Sequence, residues 1–351
     1  MLKYIVLSMR IQQWIKNFFI FAPLIFSGHL FNVHDLLLTM AGFFVLSFAS
    51  SAIYLFNDVV DMEKDKLHPE KSHRPIPSGK LKPGIAIFTF LVVLLVMLAV
   101  CLTLFSPIPG NIKLIIRIIF LSIFFASWRW FHKKDLKDLK NLAFAFMVLN
   151  LAFLIVSVFT PEFWHLKLDT SKGISLTKLS DSVIIGSVLI VSFIIGGYKL
   201  KSIYLAKGHL IYGLITGIII FTLLGYLALN NPQQKPEPGF LQRNFVWILV
   251  FVFANSFMEE LIFRGIFLER LIIWFKPVWS IILTSVCFAV PHLIVNYSPN
   301  VLFFTGIVFI LGMICGFAMY YTRSIIAPML IHAGADLMII IPIFASYGVT
   351  G

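Results

Sequence analysis

The run NSFMEELIFRGIFLERL, residues 255–271, sets Glu259, Glu260 and Arg264 among Phe, Ile and Leu. An ionisable group near the centre of a bilayer costs at least ~2.5–3.5 kcal/mol on insertion scales, so it persists there when it is paired, hydrated or functional. Glu260 and Arg264 stand four residues apart and pair on one helix face. Glu259 points about 100° away around the same helix and finds no partner on it. Two later apolar stretches carry further polar groups: CFAVPH ends on His292, and PMLIHAGAD holds His332 and Asp336 at i,i+4, on one face. A lone carboxylate, two imidazoles and another carboxylate are the parts needed to activate a water and to stabilise an oxyanion. The competing reading is an intramembrane polar network that locks helices together.

A second group of chemically capable residues lies near the other end of the chain. NDVVDMEKD places Asn57, Asp58, Asp61 and Asp65 where an apolar run gives way to charge, and their i,i+3,i+4 spacing gathers them on one face of a helical extension. Carboxylates and an amide so gathered suit Mg²⁺ bridging to a diphosphate. The following HPEKSHRPIPSGKL supplies Lys71, Arg74 and Lys80 for phosphate oxygens. A basic loop with a capped helix end explains the same spacing without a ligand.

What must position these residues is a membrane bundle. The 351 residues are 59% hydrophobic and only 13% charged, with 37 Phe, which is more apolar material than a soluble core of this size uses. Runs long enough to cross a bilayer occur near 17–31, 36–56, 84–105, 112–128, 142–159, 183–198, 209–229, 245–263, 279–295, 301–320 and 325–345. The fold class is therefore all-α, a polytopic helix bundle of about eleven transmembrane helices. Most Lys and Arg fall in alternate loops, which puts the N-terminus on the cytoplasmic side of the cell membrane and makes the net charge of +12 a topology signal, with no nucleic acid needed to explain it. The outer loops are expected at 160–181 and 230–244, with Lys167, Lys172, Lys178, Lys235 and Arg243 as their basic residues. Cys101, Cys287 and Cys315 fall inside expected helices without CxxC spacing, which argues against disulfides and thiolate metal sites and for small apolar fillers. The first apolar run lacks a small-residue cleavage site and carries Trp14 and Lys16 at its entrance, the marks of a retained anchor.

At the first group of residues the sequence resembles the CAAX-protease and bacteriocin-processing (CPBP, or Abi) intramembrane proteases. EELIFR matches that family's EExxxR motif, FAVPH (Phe288 to His292) its FxxxH motif and HAGAD its HxxxN/D motif. The resemblance covers about residues 210–345. It implies that Glu259 and His292 activate a water, that His332 and Asp336 stabilise the tetrahedral intermediate, and that Glu260 and Arg264 support the site. Asp336 stands where many members have Asn, so it serves either as a protonated donor to the oxyanion or as an ionised group that orients His332. No HExxH is present, and two His with carboxylates are chemically suited either to zinc or to acid–base work. The expectation is the metal-free glutamate mechanism, with zinc as the alternative.

The beginning of the chain resembles the UbiA-type prenyltransferases, especially their polyprenyl-phosphate phosphoribosyltransferase branch, through QQWIKNFFIFAPL, NDVVDMEKD and HRPIPSGKL, over roughly residues 8–105. Those enzymes carry a second aspartate-rich loop, and here the next aspartates are Asp135 and Asp138 within HKKDLKDLKN. The expected organisation is a truncated UbiA-like module at 1–105, a connecting transmembrane region at 106–204 and a protease domain at 205–351. The expected function is an intramembrane endopeptidase acting on a peptide or protein with a membrane-associated segment. Membrane lipid is an expected partner, and polyprenyl phosphate a further one. The alternatives are a polyprenyl-phosphate transferase using Mg²⁺ at Asp58, Asp61 and Asp65, and a non-enzymatic adaptor or immunity protein.

Overall fold

The computed structural model describes residues 1–22, 24, 32–90, 92–93, 110–133, 135–231, 236–273, 276–294 and 300–347. The secondary structure of these residues is helical, with no strand among them. Seven of their helices are long and apolar enough to cross a membrane, and Pro277–Leu293 is a shorter apolar helix. The chain is a multi-pass membrane protein. The spans expected at 17–31 and 84–105 lie largely outside the described residues, and Cys101 lies wholly outside them. The chain divides into two units, Met1–Lys113 and Leu114–Gly351.

In the first unit, α1 (Leu2–Met9) ends at Arg10, whose left-handed φ of 51° turns the chain into a 3-10 helix at Ile11–Phe21. That segment is stitched to α2 (Val33–Val60) by side chains. Asn17 Nδ2 donates to Ser47 Oγ at 3.1 Å, Trp14 Nε1 to Ser51 Oγ at 2.9 Å, and the Tyr54 hydroxyl to Gln13 Oε1 at 2.6 Å. Ser51 passes its own proton to the Met9 carbonyl at 2.7 Å, so both capacities of its hydroxyl are used. Phe18 on Phe43 and Trp14 on Phe48 fill the space beside these bonds with ring contacts at 4.7 and 5.2 Å. After a turn at Asp61, α3 (Met62–Lys66) leads into a loop anchored by the buried Ile76 and Leu81.

The second unit contains α4 (Gly110–Lys133, from Leu114 on), α5 (Lys137–Val156), α6 (Ser171–Ile195), α7 (Leu210–Leu229), α8 (Phe240–Glu260), a π-helical turn at Leu261–Ile266 and α9 (Leu268–Ile272). It closes with α10 (Pro277–Ala289), α11 (Val301–Thr322) and α12 (Ile326–Ser346). The outer loop expected at 160–181 is only partly loop: Thr170 caps α6 by accepting the Gly173 N–H at 3.0 Å, so residues 171–181 are helix. A Thr cap followed by polar Ser, Lys and Thr reads as loop by composition, and the cap overrides that reading.

α7 packs along α12, and α8 lies between α6 and α12, with α11 against α10 and α12. Gly334 brings α12 against the α7 backbone, since a Cβ there would lie 2.9 Å from Phe221 Cα. One apolar core joins Phe144 and Val148 of α5, Ile185, Leu189 and Phe193 of α6, Met258 of α8, and Leu261 and Ile266 of the π turn. The boundary expected at 205 cuts through this core. Below it the 3-10 turn at Leu200–Ile203 ends on Tyr204, whose carbonyl accepts the Ile325 N–H at 3.1 Å and whose hydroxyl donates to Glu269 Oε2 at 2.7 Å. Burial, and then the adjoining Glu269 carboxylate, raise the Tyr204 phenol above its ordinary pKa, so it remains the donor. These bonds fix where α12 begins, and with it the height of His332.

Candidate active site

Glu260 ends the regular part of α8, and a π turn follows at once. Such wide turns are uncommon and concentrate at functional positions. Arg264, inside the turn, donates from Nη1 to Glu260 Oε1 at 2.9 Å, and both side chains are fully buried. The guanidinium lies 4.4 Å from the centre of the Phe288 ring. α11 can approach this pair because residue 312 is Gly: a Cβ there would sit 2.9 Å from Arg264 Nη2 and 3.0 Å from Ser285 Cβ.

α12 brings His332 onto the same carboxylate. Its Nδ1 lies 2.9 Å from Glu260 Oε1, and an ion-paired carboxylate only accepts, so Nδ1 carries the hydrogen. That bond turns Nε2 the other way, to 3.6 Å from both Glu259 Oε2 and Asp336 Oδ1. Glu259, which lacks a partner on its own helix, thus finds one on α12. Asp336 Oδ2 also accepts from Asn255 Nδ2 at 3.0 Å. His292, one turn beyond Phe288 in a 3-10 extension of α10, points Nδ1 at the Phe288 carbonyl at 2.9 Å. A carbonyl only accepts, so the neutral ring keeps its bare nitrogen, Nε2, as a proton acceptor. Phe288 touches both imidazoles edge-on, with ring centres 5.2 Å from His292 and 5.3 Å from His332.

Burial sorts the six polar groups. Glu260, Arg264, His332 and Asp336 are buried, while the Glu259 side chain keeps 19% exposure and His292 is half-buried. The two groups that keep partial exposure are the two that the family resemblance assigns to water. The arrangement has a closed, ion-paired base (Arg264, Glu260), an imidazole held by it, and a carboxylate and second imidazole that keep partial exposure. Among the described residues, no three His, Cys, Asp or Glu side chains are gathered so as to hold a metal ion. Cys315 is buried with Sγ 3.6 Å from the Pro328 carbonyl, a packing position.

Three contributions escape the sequence reading. Asn255 lies in the same apolar run as Glu259, and its amide type there was the available signal. The bond from His332 to Glu260 joins residues 72 apart, which spacing within one helix does not show. Lys178, read as a loop residue, belongs to α6 and lies within electrostatic reach of His292 and Asp336.

The acidic group of the first unit is divided. Asp58 and Asp65 are each 2% exposed and are joined through Arg74, whose Nη1 donates to Asp58 Oδ1 at 3.1 Å and to Asp65 Oδ2 at 3.0 Å. Arg10 Nη2 donates to Asp58 Oδ1 at 2.7 Å, and Lys71 Nζ lies 3.6 Å from Asp65 Oδ1. Asn57 and Asp61 are exposed and outside this cluster, so the four residues do not gather on one face. With three cations already on two carboxylates, the donor set does not fit a divalent ion.

Comparison with known proteins separates the same two regions. Residues 241–338, which include every motif residue from Glu259 to Asp336, match the family model described as Type II CAAX prenyl endopeptidase Rce1-like. Residues 18–166 match the model of the UbiA prenyltransferase family, which extends the UbiA-like region past residue 105. The N-terminal region is similar to decaprenyl-phosphate phosphoribosyltransferases. The protein of that name from Corynebacterium glutamicum is 40% identical over 81 residues, 22% of this chain and 24% of that protein. The one from Mycobacterium tuberculosis is 39% identical over 94 residues, 26% of this chain and 31% of that protein. Nodulation protein NoeC of Azorhizobium caulinodans is 38% identical over 74 residues, 20% of this chain and 23% of that protein. The chain thus spans about a quarter of the length of these curated relatives. No solved structure matches it.

Proposed function

We propose that the chain is an intramembrane endopeptidase that hydrolyses a peptide bond in a substrate with a membrane-associated segment, with the N-terminus on the cytoplasmic side of the cell membrane. The observation that carries the reading is the division of burial: a closed Arg264, Glu260 and His332 set beside Glu259 and His292, which keep partial exposure. Inside a bilayer, ionisable groups left partly open are expensive unless they meet a reactant.

Glu259 takes a proton from a water that also donates to His292 Nε2, and the hydroxide adds to the substrate carbonyl carbon. The oxyanion is met by His332, which in this step carries protons on both ring nitrogens, Nδ1–H on Glu260 and Nε2–H towards the new negative charge. Asp336, held by Asn255, orients that ring. Collapse breaks the C–N bond, and the proton on Glu259 passes to the leaving nitrogen, so one water becomes one carboxyl and one amine terminus. The mechanism draws on these side chains alone.

The UbiA-like match supports a second role, in which the N-terminal region binds a polyprenyl phosphate and serves as a docking part. Peptides that accumulate in cells carrying Glu259→Gln, compared with cells carrying wild type and Asp58→Asn, test the assignment. The protease reading expects membrane peptides that accumulate with Glu259→Gln and not with Asp58→Asn. Identical peptide pools in all three strains contradict it.

A further inference from the structure

The UbiA-type resemblance implies a divalent ion at the acidic end of α2, and the residues found there are committed elsewhere. Asp58 Oδ1 accepts from Arg10 at 2.7 Å and from Arg74 at 3.1 Å, and Asp65 meets Arg74 at 3.0 Å and Lys71 at 3.6 Å. Arg10 also stacks on Tyr54, with Cζ 4.4 Å from the ring centre, and Tyr54 in turn bonds to Gln13. The Arg10 to Asp58 bond is thus the last in the row that runs through Tyr54, Ser51 and Ser47 and ties the N-terminal segment to α2. Arg74 continues it by tying the 71–81 loop to the α2 and α3 carboxylates.

We infer that Asp58, Asp65, Arg10 and Arg74 form a fastener that holds the N-terminal segment and the 71–81 loop on α2, and that this acidic cluster binds no divalent metal ion. A divalent cation entering here must displace two guanidiniums from carboxylates that are themselves nearly closed to solvent, and would then meet their charge at close range. Mg²⁺ favours sites where water completes an octahedron around one or two open carboxylates. Asn57 and Asp61, the other members of the group, are exposed, while Asp58 and Asp65 are buried against the arginines. The inference stands whether or not the second unit is a protease.

The test uses the full chain in a neutral detergent, with Mn²⁺ as the probe read by electron paramagnetic resonance and Mg²⁺ as its competitor. The expected result is no stoichiometric Mn²⁺ beyond that taken by the Asp58→Asn/Asp65→Asn double variant, and no rise in unfolding temperature with Mg²⁺. Stoichiometric Mn²⁺ that Mg²⁺ displaces and the double variant loses overturns the inference. The fastener is tested separately by charge exchange. Arg10→Asp should lower the unfolding temperature by several degrees, and Arg10→Asp combined with Asp58→Arg should recover part of that loss. An Arg10→Asp variant as stable as wild type contradicts the fastener, and so does a double exchange that recovers nothing. Where the double variant fails to fold, Asp65→Asn alone is the reference for the same titration.

Discussion

Glu259 and Glu260 are chemically identical neighbours placed in different surroundings, and substitution should tell them apart. Glu260 is fully buried between Arg264 and His332. In Glu260→Gln the guanidinium is left without its counter-charge, at a cost of about 3–5 kcal/mol, so unfolding temperature and cleavage should fall together. Glu259 keeps 19% of its side chain exposed and lies 3.6 Å from His332 Nε2, a longer contact than the buried Glu260–Arg264 pair at 2.9 Å, so Glu259→Gln should stay close to wild-type stability. Differential scanning fluorimetry on the two variants checks the contrast, and equal stability losses would contradict it. Asp336 is the other instructive residue. Asp336 accepts the Asn255 amide at 3.0 Å and lies 3.6 Å from His332 Nε2, close enough to orient that ring when both its nitrogens carry hydrogen, which fits the orienting role. An Asn at 336 has one acceptor oxygen to offer where the carboxylate offers two. Asp336→Asn should therefore retain part of the cleavage rate, and Asp336→Leu should lose nearly all of it. Wild-type rates in Asp336→Asn that extend to higher pH would restore the donor role.

The helices divide into those the sequence announces and those that only packing reveals. The spans containing Glu259, His332 and Asp336 are long apolar runs, so their existence and the placement of the motif residues on them are legible. The pairing of Glu260 with Arg264 was readable as well, because i,i+4 neighbours on one helix meet whatever surrounds them. The bond from Glu260 to His332 was not, since it depends on how α12 is set against α8. The π turn was also hidden, because LIFRGI carries no residue that forbids an ordinary helix. The same limit applies to α5 and α6, whose apolar faces read as generic membrane spans, yet Phe144, Val148, Ile185, Leu189 and Phe193 share a core with Met258 and Leu261. Ser175 Oγ bonds to the Trp247 carbonyl at 2.7 Å and Gly186 lets Phe257 come close, so α6 supports the site helix along much of its length. A fragment beginning at 205 strips that support from α8. It should aggregate or lose helical content in detergent, whereas a fragment of residues 114–351 should unfold cooperatively. A cooperative 205–351 fragment would show that α5 and α6 are dispensable.

The chain joins a region similar to UbiA prenyltransferases, residues 18–166, to one similar to CAAX-type endopeptidases, residues 241–338. The residues of each region are put to different use. In the first unit the carboxylates that the resemblance marks for a ligand are bound to arginines, and in the second the motif residues converge and two of them stay open. This contrast supports the proposal that the chemistry belongs to the second unit, and the most direct measurement is made on one side chain there. Purified wild type and Glu259→Gln, each in lipid vesicles, are given a membrane peptide identified from the accumulating pool, and initial cleavage rates are compared beside unfolding temperatures. The glutamate-base mechanism predicts a fall of ~10²–10⁴ in rate with an unchanged unfolding temperature. Cleavage by folded Glu259→Gln at close to the wild-type rate would contradict it.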